Sequence, residues 1–283
     1  MSKDAPVNAK IGSRFGNRYQ IVSELGRGGN SQVYYALDHQ NDPPSEVALK
    51  ISTPSKGDTK FMARFLREAF QLSRLEHPNI MKLLDFGNEN GLYFMATEFI
   101  KGKSLKEYLN ESPIAEESAV VIACEMAKAF TYMKEMGVIH RDIKPENILI
   151  SDNDEVILVD FGLAKEEGDK TLSMSDELFG TPQYLSPEYI SGDSKITIKT
   201  DIYSLGITLF YAVSGQLPFN SKNPVDIVRK QLSEEPPILK DMIPAISDEY
   251  SDIISRMIVK VPEERCSLEE MKEYFDKMLL HYI

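Results

Sequence analysis

An eight-residue polar segment, His140 to Asn147, stands directly before the apolar run Ile148 to Ile150. The apolar run predicts a short buried strand. Pro145 removes a backbone donor and disfavours helix at Lys144, so the polar side chains belong to a loop. Loops braced by apolar segments commonly carry catalytic groups, although this composition on its own is more typical of a solvated charged turn.

The chain as a whole has a globular, acidic composition. Its 283 residues are 42% hydrophobic and 27% charged, which suits one large domain or two lobes and argues against disorder. Lys and Arg number 32 against 44 Asp and Glu, which gives a net charge of -12. Because binding along a nucleic-acid backbone needs clustered cations, we expect no nucleic-acid partner.

Cysteine usage and hydropathy predict a cytoplasmic protein without a membrane segment in this chain. Cys124 and Cys266 are the only cysteines and have no metal-ligand spacing, which favours a reducing compartment. Residues 1–4 lack the charged-then-apolar pattern of a signal peptide. The uncharged run 202–221 approaches the length of a spanning helix, but its polar and helix-breaking residues favour a buried core helix that ends near Gly215.

Strand patterns dominate the first third of the chain and helix patterns the remainder. After a flexible tail over 1–17, the predicted strands are Tyr19–Val22, Val33–Leu37, Glu46–Ile51, Ile80–Phe86 and Leu92–Ile100. One helix is predicted among them, from about Lys60 to Leu75. The later helices are one capped by Ser104 and those at Ser118–Met136, Asp201–Gly215, Asn223–Leu232, Asp248–Ile258 and Ser267–His281. This order predicts an α+β fold with two lobes of different character.

A glycine-rich segment, Gly26 to Val33, lies between two predicted strands. Glycines lack Cβ, so the backbone can approach phosphate oxygens closely and offer its N–H groups. The ordinary alternative is a tight turn. The segment precedes no helix, unlike a dinucleotide-binding turn, and it lacks the Gly-Lys-Ser/Thr of a P-loop.

Lys50 ends the apolar strand Val47-Ala48-Leu49, where an ammonium group is rare unless it is paired. It could instead extend its head into solvent. Glu68 falls on the buried face of the predicted helix and is a candidate partner for Lys50. The alternative for Glu68 is an intrahelical pair with Arg64, four residues earlier.

Asp160-Phe161-Gly162 follows the apolar strand 156–159. A carboxylate at a strand end, followed by glycine, is suited to a hard cation such as Mg²⁺, which prefers oxygen ligands and accompanies phosphates. Asn147 supplies another oxygen nearby in sequence. Taken singly, each of these residues is more often a turn former.

Together these segments resemble the catalytic domain of protein kinases. The signature occurs in order over residues 19–280: the glycine loop, Val47-Ala48-Leu49-Lys50, Glu68, His140-Arg141-Asp142 with Asn147, Asp160-Phe161-Gly162 and Ser186-Pro187-Glu188. The lysine two positions after Asp142, Lys144, resembles the pattern of serine/threonine kinases rather than that of tyrosine kinases. Gly28-Gly29 and the segment 180–188 are most similar to the eukaryotic-type kinases of bacteria. The resemblance implies a bilobal fold, with the N-lobe and hinge at 18–100 and the C-lobe at 101–283.

The resemblance implies a role for each matching residue. Asp142 accepts or orients the proton of the substrate hydroxyl, Lys144 counters charge on the transferred phosphoryl group, and Thr181 bonds both. Lys50, fixed by Glu68, holds the ATP phosphates, whereas Asn147 and Asp160 hold Mg²⁺, with Mn²⁺ as a substitute. The ATP-binding set is Leu25, Gly26, Gly28, Gly29, Val33, Ala48, Lys50, Thr97, Glu98, Ile100 and Leu149. Asp201 ties down the catalytic loop, and Glu188 with Arg265 forms a buried pair.

The activation segment departs from the usual pattern. Arg141 and Lys165 match the basic residues that receive an activating phosphate, yet Glu177 occupies a common phosphothreonine position. We hypothesise that Glu177 partly replaces that phosphate. Ser173 and Ser175 match sites where the bacterial relatives autophosphorylate, and Thr171 is close by. A transient homodimer would provide a route for this reaction.

The resemblance leads to a serine/threonine kinase that acts on proteins. One alternative is a pseudokinase, a binding module with the same fold, although Lys50, Asp142, Asn147 and Asp160 are all present. Another is a kinase of small molecules, which generally lacks a peptide-docking segment such as 181–188. Labelled ATP with a generic protein acceptor would separate these functions.

Overall fold

The structure, a computed structural model, describes residues 10–28, 31–54, 61–161, 165–166, 182–193 and 196–282. Contacts divide the chain into two compact units, Met1–Lys101 and Gly102–Ile283. The first is built mainly of strands and the second mainly of helices. The predicted α+β fold is therefore confirmed.

A six-stranded antiparallel sheet forms the first unit. Its spatial order is β1-β2-β3-β4-β6-β5, and its strands are β1 (Arg14–Phe15), β2 (Tyr19–Arg27), β3 (Ser31–Asp38), β4 (Ser45–Ser52), β5 (Leu83–Glu89) and β6 (Leu92–Glu98). Because side chains alternate along a strand, one face buries apolar residues that include Tyr34, Ala36, Val47, Leu49 and Ile51. Helix α1 (Phe61–Ser73) packs Phe65 and Ala69 against Met95.

Several sequence-based boundaries in this unit were wrong, including the end of the first strand, which lies at Arg27 and not at Val22. The predicted tail extended too far, because β1 pairs with β2 and Phe15 is buried edge-on against Phe94, with ring centroids 5.5 Å apart. The strand predicted from Ile80 begins three residues later, at Leu83, because Ile80 instead forms an isolated bridge with His77. At the tail and at the start of β5, the pairing joins residues only three to six positions apart, in segments too short to show a strand period.

The second unit consists of helices around a buried central helix, α5. Its helices are α2 (Leu105–Glu111), α3 (Glu116–Glu135), α4 (Pro187–Ile190), α5 (Ile198–Ser214), α6 (Pro224–Ser233), α7 (Leu239–Met242), α8 (Asp248–Met257) and α9 (Leu268–Leu279). Its short strands are β7 (Gly102–Ser104), β8 (Val138–Ile139), β9 (Ile148–Ser151), β10 (Val156–Leu158) and β11 (Lys165–Glu166). Ser104 and Ser267 form capping boxes that start α2 and α9.

The run that resembled a membrane span is mostly contained in α5. Thr197 caps its first turn, and Gly215 ends it in the left-handed conformation with φ 68°. Thirteen of its residues are buried, which explains why both faces carry apolar side chains. Within the described ranges, no helix combines the length and the apolar character needed to cross a membrane.

Lys260 lies half-buried among aromatic rings of the second unit. Its ammonium nitrogen is 3.7 Å from the ring centre of Phe219, and it donates to the Tyr203 hydroxyl at 3.3 Å and the Lys230 carbonyl at 3.4 Å. Burial lowers the pKa of Lys260 to about 8, against an ordinary value of 10.5. Between these values the unfolded chain binds more protons at this lysine than the folded protein does, so this contribution to stability rises with pH.

We expect Lys260→Met to remove that pH dependence. Between pH 7 and 9, the wild type should gain about 0.7 kcal/mol of unfolding free energy relative to the variant. This value allows for solvent screening of the half-exposed group. Urea unfolding at pH 7, 8 and 9 measures the difference, with exposed Lys128→Met as the matched control. A difference that stays constant over this range contradicts the prediction.

Candidate active site

The predicted polar loop joins β8 to β9, and its last three residues, Pro145–Asn147, form one 3-10 turn. The turn brings the Asn147 side chain back toward Asp142. Asn147 Nδ2 donates to the Asp142 carbonyl at 2.8 Å and to Asp142 Oδ2 at 2.9 Å. Lys144 Nζ reaches the same Oδ2 at 2.7 Å. Both donors therefore bind one carboxylate oxygen, and Asp142 Oδ1 accepts from neither of them.

The electrostatic surroundings of Asp142 favour proton acceptance. Its side chain and that of Lys144 are each 19% exposed. Burial raises the pKa of Asp142, the ammonium of Lys144 and the amide of Asn147 oppose that rise, and the nearby charge of Asp160 adds to it. A carboxylate with a raised pKa takes up a proton more readily, which suits a general base.

His140 is fully buried, and both of its ring nitrogens have partners. Nδ1 lies 3.3 Å from the backbone nitrogen of Asp142, which can only donate, whereas Nε2 lies 3.2 Å from the Val159 carbonyl, which can only accept. These partners assign the proton to Nε2 in a neutral ring. Burial lowers the pKa of His140, in agreement with that assignment.

Two residues of the predicted site have left-handed backbones, Arg141 with φ 69° and Asp160 with φ 60°. Non-glycine residues in this conformation are strained and are often found at functional sites. The buried Asp201 carboxylate accepts from the backbone nitrogens of His140 and Arg141, each at 2.8 Å. Asp201 thereby fixes the unusual backbone directly before Asp142.

Asn147 and Asp160 have the chemistry expected of metal ligands. The Asn147 amide nitrogen is used by Asp142, which leaves its carbonyl oxygen as the end available for a cation. Asp160 is exposed, and Phe161 beside it packs edge-on against His140 with ring centroids 4.6 Å apart. Carboxylate and amide oxygens are ligands that Mg²⁺ prefers, so these residues fit a hard divalent cation.

The first unit contributes a second group of predicted site residues. Lys50 Nζ lies 3.0 Å from Glu68 Oε1, so the pair with Lys50 is formed rather than only the alternative with Arg64. Strand register places Val33 opposite Lys50 and Ala48 opposite Thr97. Directly paired residues share a face, as do residues two apart, so Val33, Ala48, Lys50 and Thr97 lie on one face of the sheet.

The remaining predicted residues are placed as follows. Leu25 and Gly26 are in β2, and Gly28 donates its backbone N–H to the Ser31 carbonyl at 2.8 Å. Glu98 ends β6, and Ile100 lies two residues further along the chain. Leu149 is half-buried in β9. The structure does not describe Gly29, Thr171, Ser173, Ser175, Glu177, Thr181 or the side chain of Lys165.

The protein kinase domain profile matches residues 19–275 of this chain. The chain belongs to the protein kinase family. This kinase domain is 36% identical to the probable serine/threonine-protein kinase PknB of Lactococcus lactis over 93% of its length. It is 37% identical to the serine/threonine-protein kinase PrkC of Bacillus subtilis, also over 93% of its length. Serine/threonine-protein kinase PknD of Mycobacterium tuberculosis is 35% identical over 90%.

The chain spans about two fifths of the length of these relatives. It covers 42% of the Lactococcus protein, 40% of the Bacillus protein and 38% of the Mycobacterium protein. Their names identify them as serine/threonine kinases, and the resemblance found in the sequence is confirmed.

Sequence reasoning missed two features of this kinase domain. No sequence pattern marks the left-handed backbone of Arg141, because arginine rarely adopts it. The buried Gln231 holds the segment after the activation loop and was also missed. The helical period could have predicted that Gln231 is buried, because it lies four positions after Ile227 on the same face of the amphipathic helix α6.

Glu188 and Arg265 form the buried ion pair that the resemblance implied. Arg265 binds both carboxylate oxygens, with Nη1 at 2.9 Å and Nη2 at 3.1 Å, and Thr200 donates to Glu188 at 2.8 Å. The side chains are 0% and 4% exposed for Arg265 and Glu188. Although burial acts against it, the charge and hydrogen bonds of Arg265 lower the pKa of Glu188.

We expect Arg265→Met to destabilise the domain by about 3–5 kcal/mol, because Glu188 would remain as an unpaired buried charge. Urea unfolding of the purified domain measures this loss. Arg256, paired with Glu270 at 3.0 Å but 37% exposed, provides the matched control. Arg256→Met should cost less than about 1 kcal/mol. Equal losses in the two variants would show that the buried pair has no special role.

Proposed function

We propose that this kinase domain transfers the γ-phosphoryl group of ATP to Ser or Thr hydroxyls of protein substrates. The observation that supports this most directly is the Asp142 carboxylate, held through one oxygen by Lys144 and Asn147. The names of the bacterial relatives favour serine and threonine as acceptors.

Each of the named side chains has a task in this reaction. Asp142 would orient the acceptor hydroxyl and take its proton, and Lys144 would neutralise charge that develops on the phosphoryl oxygens. Lys50, held by Glu68, would bind the ATP phosphates. Phosphoryl transfer passes through a loose transition state, so positioning and charge neutralisation provide most of the catalysis.

Asn147 and Asp160 would hold Mg²⁺, with Mn²⁺ as a substitute. When bound, the cation would neutralise charge on the phosphate oxygens. ATP would also contact the sheet face with Val33, Ala48 and Thr97, as well as Leu25, Gly26, Gly28, Gly29, Glu98, Ile100 and, in the second unit, Leu149.

Two other functions use the same fold. A pseudokinase would bind partners without catalysis, and a small-molecule kinase would phosphorylate a metabolite. Lys50, Asp142, Asn147 and Asp160 are all present, which favours catalysis. The segment 181–188 favours a protein acceptor.

We expect Asp142→Asn to lower kcat about a hundred- to ten-thousandfold while ATP binding persists, because the variant keeps the shape of the side chain but loses the base. Transfer of labelled phosphate to myelin basic protein measures kcat, and titration with a fluorescent ATP analogue measures binding. Exposed Asp152→Asn is the matched control and should transfer normally. Undiminished transfer by Asp142→Asn would exclude the proposed base, and absence of transfer by the wild type would favour a pseudokinase.

The activation segment would control this activity. We propose that Glu177 partly replaces an activating phosphate facing Arg141 and Lys165, and that Thr171, Ser173 and Ser175 are autophosphorylated in a transient homodimer. A carboxylate has less charge and fewer acceptor atoms than a phosphate, so the replacement would be incomplete.

We expect phosphatase-treated wild type to retain measurable activity and phosphatase-treated Glu177→Gln to lose most of it, because the variant removes the carboxylate proposed to replace the phosphate. Initial rates on myelin basic protein measure both, with exposed Glu135→Gln as the control. Mass spectrometry should find phosphate in the segment 171–175 of the wild type and none in Asp142→Asn expressed alone. An inactive phosphatase-treated wild type would refute the role of Glu177.

A further inference from the structure

Side chains from two helices hold three successive backbone carbonyls of the 3-10 turn Pro182–Tyr184. Gln231 Nε2 of α6 donates to the carbonyls of Pro182, at 3.4 Å, and of Gln183. Ser204 Oγ of α5 donates to the Tyr184 carbonyl at 2.7 Å. The conformation of this turn therefore depends on residues outside it.

Gln231 provides a second link between the turn and the central helix, in addition to Ser204. Its side chain is fully buried, and its Oε1 accepts from the Tyr203 hydroxyl of α5, which is also fully buried. One end of the amide donates only and the other accepts only. The carbonyls of Pro182 and Gln183 can only accept, so they orient the amide with Nε2 toward the turn, and the Tyr203 hydroxyl then donates to Oε1.

The turn presents one face outward. Pro182 and Tyr184 are buried, whereas Gln183 and Leu185 remain partly exposed. Ser186, Pro187 and Glu188 follow, and Glu188 is fixed by Arg265. The turn thus lies in the segment expected to contact a peptide. Gln231 and Ser204 hold its carbonyls, and Arg265 fixes Glu188 just after it.

We propose that Gln231 is a positioning residue that sets the conformation of the turn Pro182–Tyr184 and thereby the affinity of the kinase domain for its protein substrate. The inference rests on the proposed function. In the described part of the chain, the side-chain hydrogen bonds of Gln231 go to Pro182, Gln183 and Tyr203 and none goes to the Asp142 cluster. These contacts reach the turn and not the Asp142 cluster, so the expected effect is on acceptor binding.

Two isosteric variants separate the ends of this link. Gln231→Glu keeps an acceptor for Tyr203 but places a second oxygen against the carbonyls of the turn, so the turn must move. Tyr203→Phe removes the hydrogen bond to Gln231 Oε1 and leaves the donor to the turn, so its effect should be smaller. Gln231→Met removes both hydrogen bonds without adding charge and serves if Gln231→Glu does not fold.

Steady-state kinetics with myelin basic protein and ATP test the inference. In Gln231→Glu and Gln231→Met we expect KM for the protein to rise roughly tenfold, the equivalent of one net hydrogen bond, with KM for ATP unchanged. Tyr250→Phe is the matched control, because Tyr250 is a fully buried tyrosine of the same unit that donates elsewhere, to the Leu209 carbonyl at 3.3 Å. It should leave KM for the protein unchanged.

Hydrogen exchange provides a readout that does not require activity. In both Gln231 variants, exchange in the peptide 182–191 should accelerate while the peptide 140–149 stays as protected as in the wild type. An unchanged protein KM, an equal rise in both KM values, or unchanged exchange at 182–191 would overturn the inference. If the wild type phosphorylates nothing, the proposed kinase function fails, and the exchange result still decides whether Gln231 positions the turn.

Discussion

The carboxylate of Asp201 accepts hydrogen bonds from two successive backbone amides, those of His140 and Arg141, each at 2.8 Å. The second of these residues is held at φ 69°, a conformation that costs of order 1–3 kcal/mol for a residue other than glycine. Hydrogen bonds to an ionised acceptor are about twice as strong as neutral ones and can offset that cost. Asp142 is the next residue along the chain, so its position depends on this arrangement.

The same central helix anchors other segments through neighbouring residues. Thr200 donates to Glu188, the Tyr203 hydroxyl donates to Gln231, and Ser204 donates to the Tyr184 carbonyl. These polar groups are concentrated toward the N-terminal half of α5, whose other buried residues are mostly apolar. Buried polar groups are costly unless they are satisfied, and each of these has a specific partner in a different segment. The helix therefore provides apolar core and fixed attachment points at the same time.

Periodicity predicted those parts of the site whose geometry is local. The helical period placed Glu68 on the inner face of α1, and strand alternation placed Ala48 and Lys50 together, so that the Lys50–Glu68 pair followed once the strand and helix packed. Periodicity did not predict the backbone of Arg141 or the start of β5. Those depend on Asp201, sixty residues away, and on the bridge between His77 and Ile80. The resemblance supplied Asp201, whereas the geometry that makes it necessary became visible only in the folded chain.

Two ion pairs of the second unit show how burial separates structural from chemical roles. Arg265 is enclosed, and its guanidinium donates to Glu188 and to the carbonyls of Lys199, Val259 and Lys260, so none of its three nitrogens is available to a ligand. Lys144 and Asp142 are each 19% exposed. Lys144 and Asn147 both donate to Oδ2 of Asp142, and neither donates to Oδ1. A carboxylate oxygen that neither Lys144 nor Asn147 uses suits a proton acceptor, whereas the complete satisfaction of Arg265 suits a fixed support.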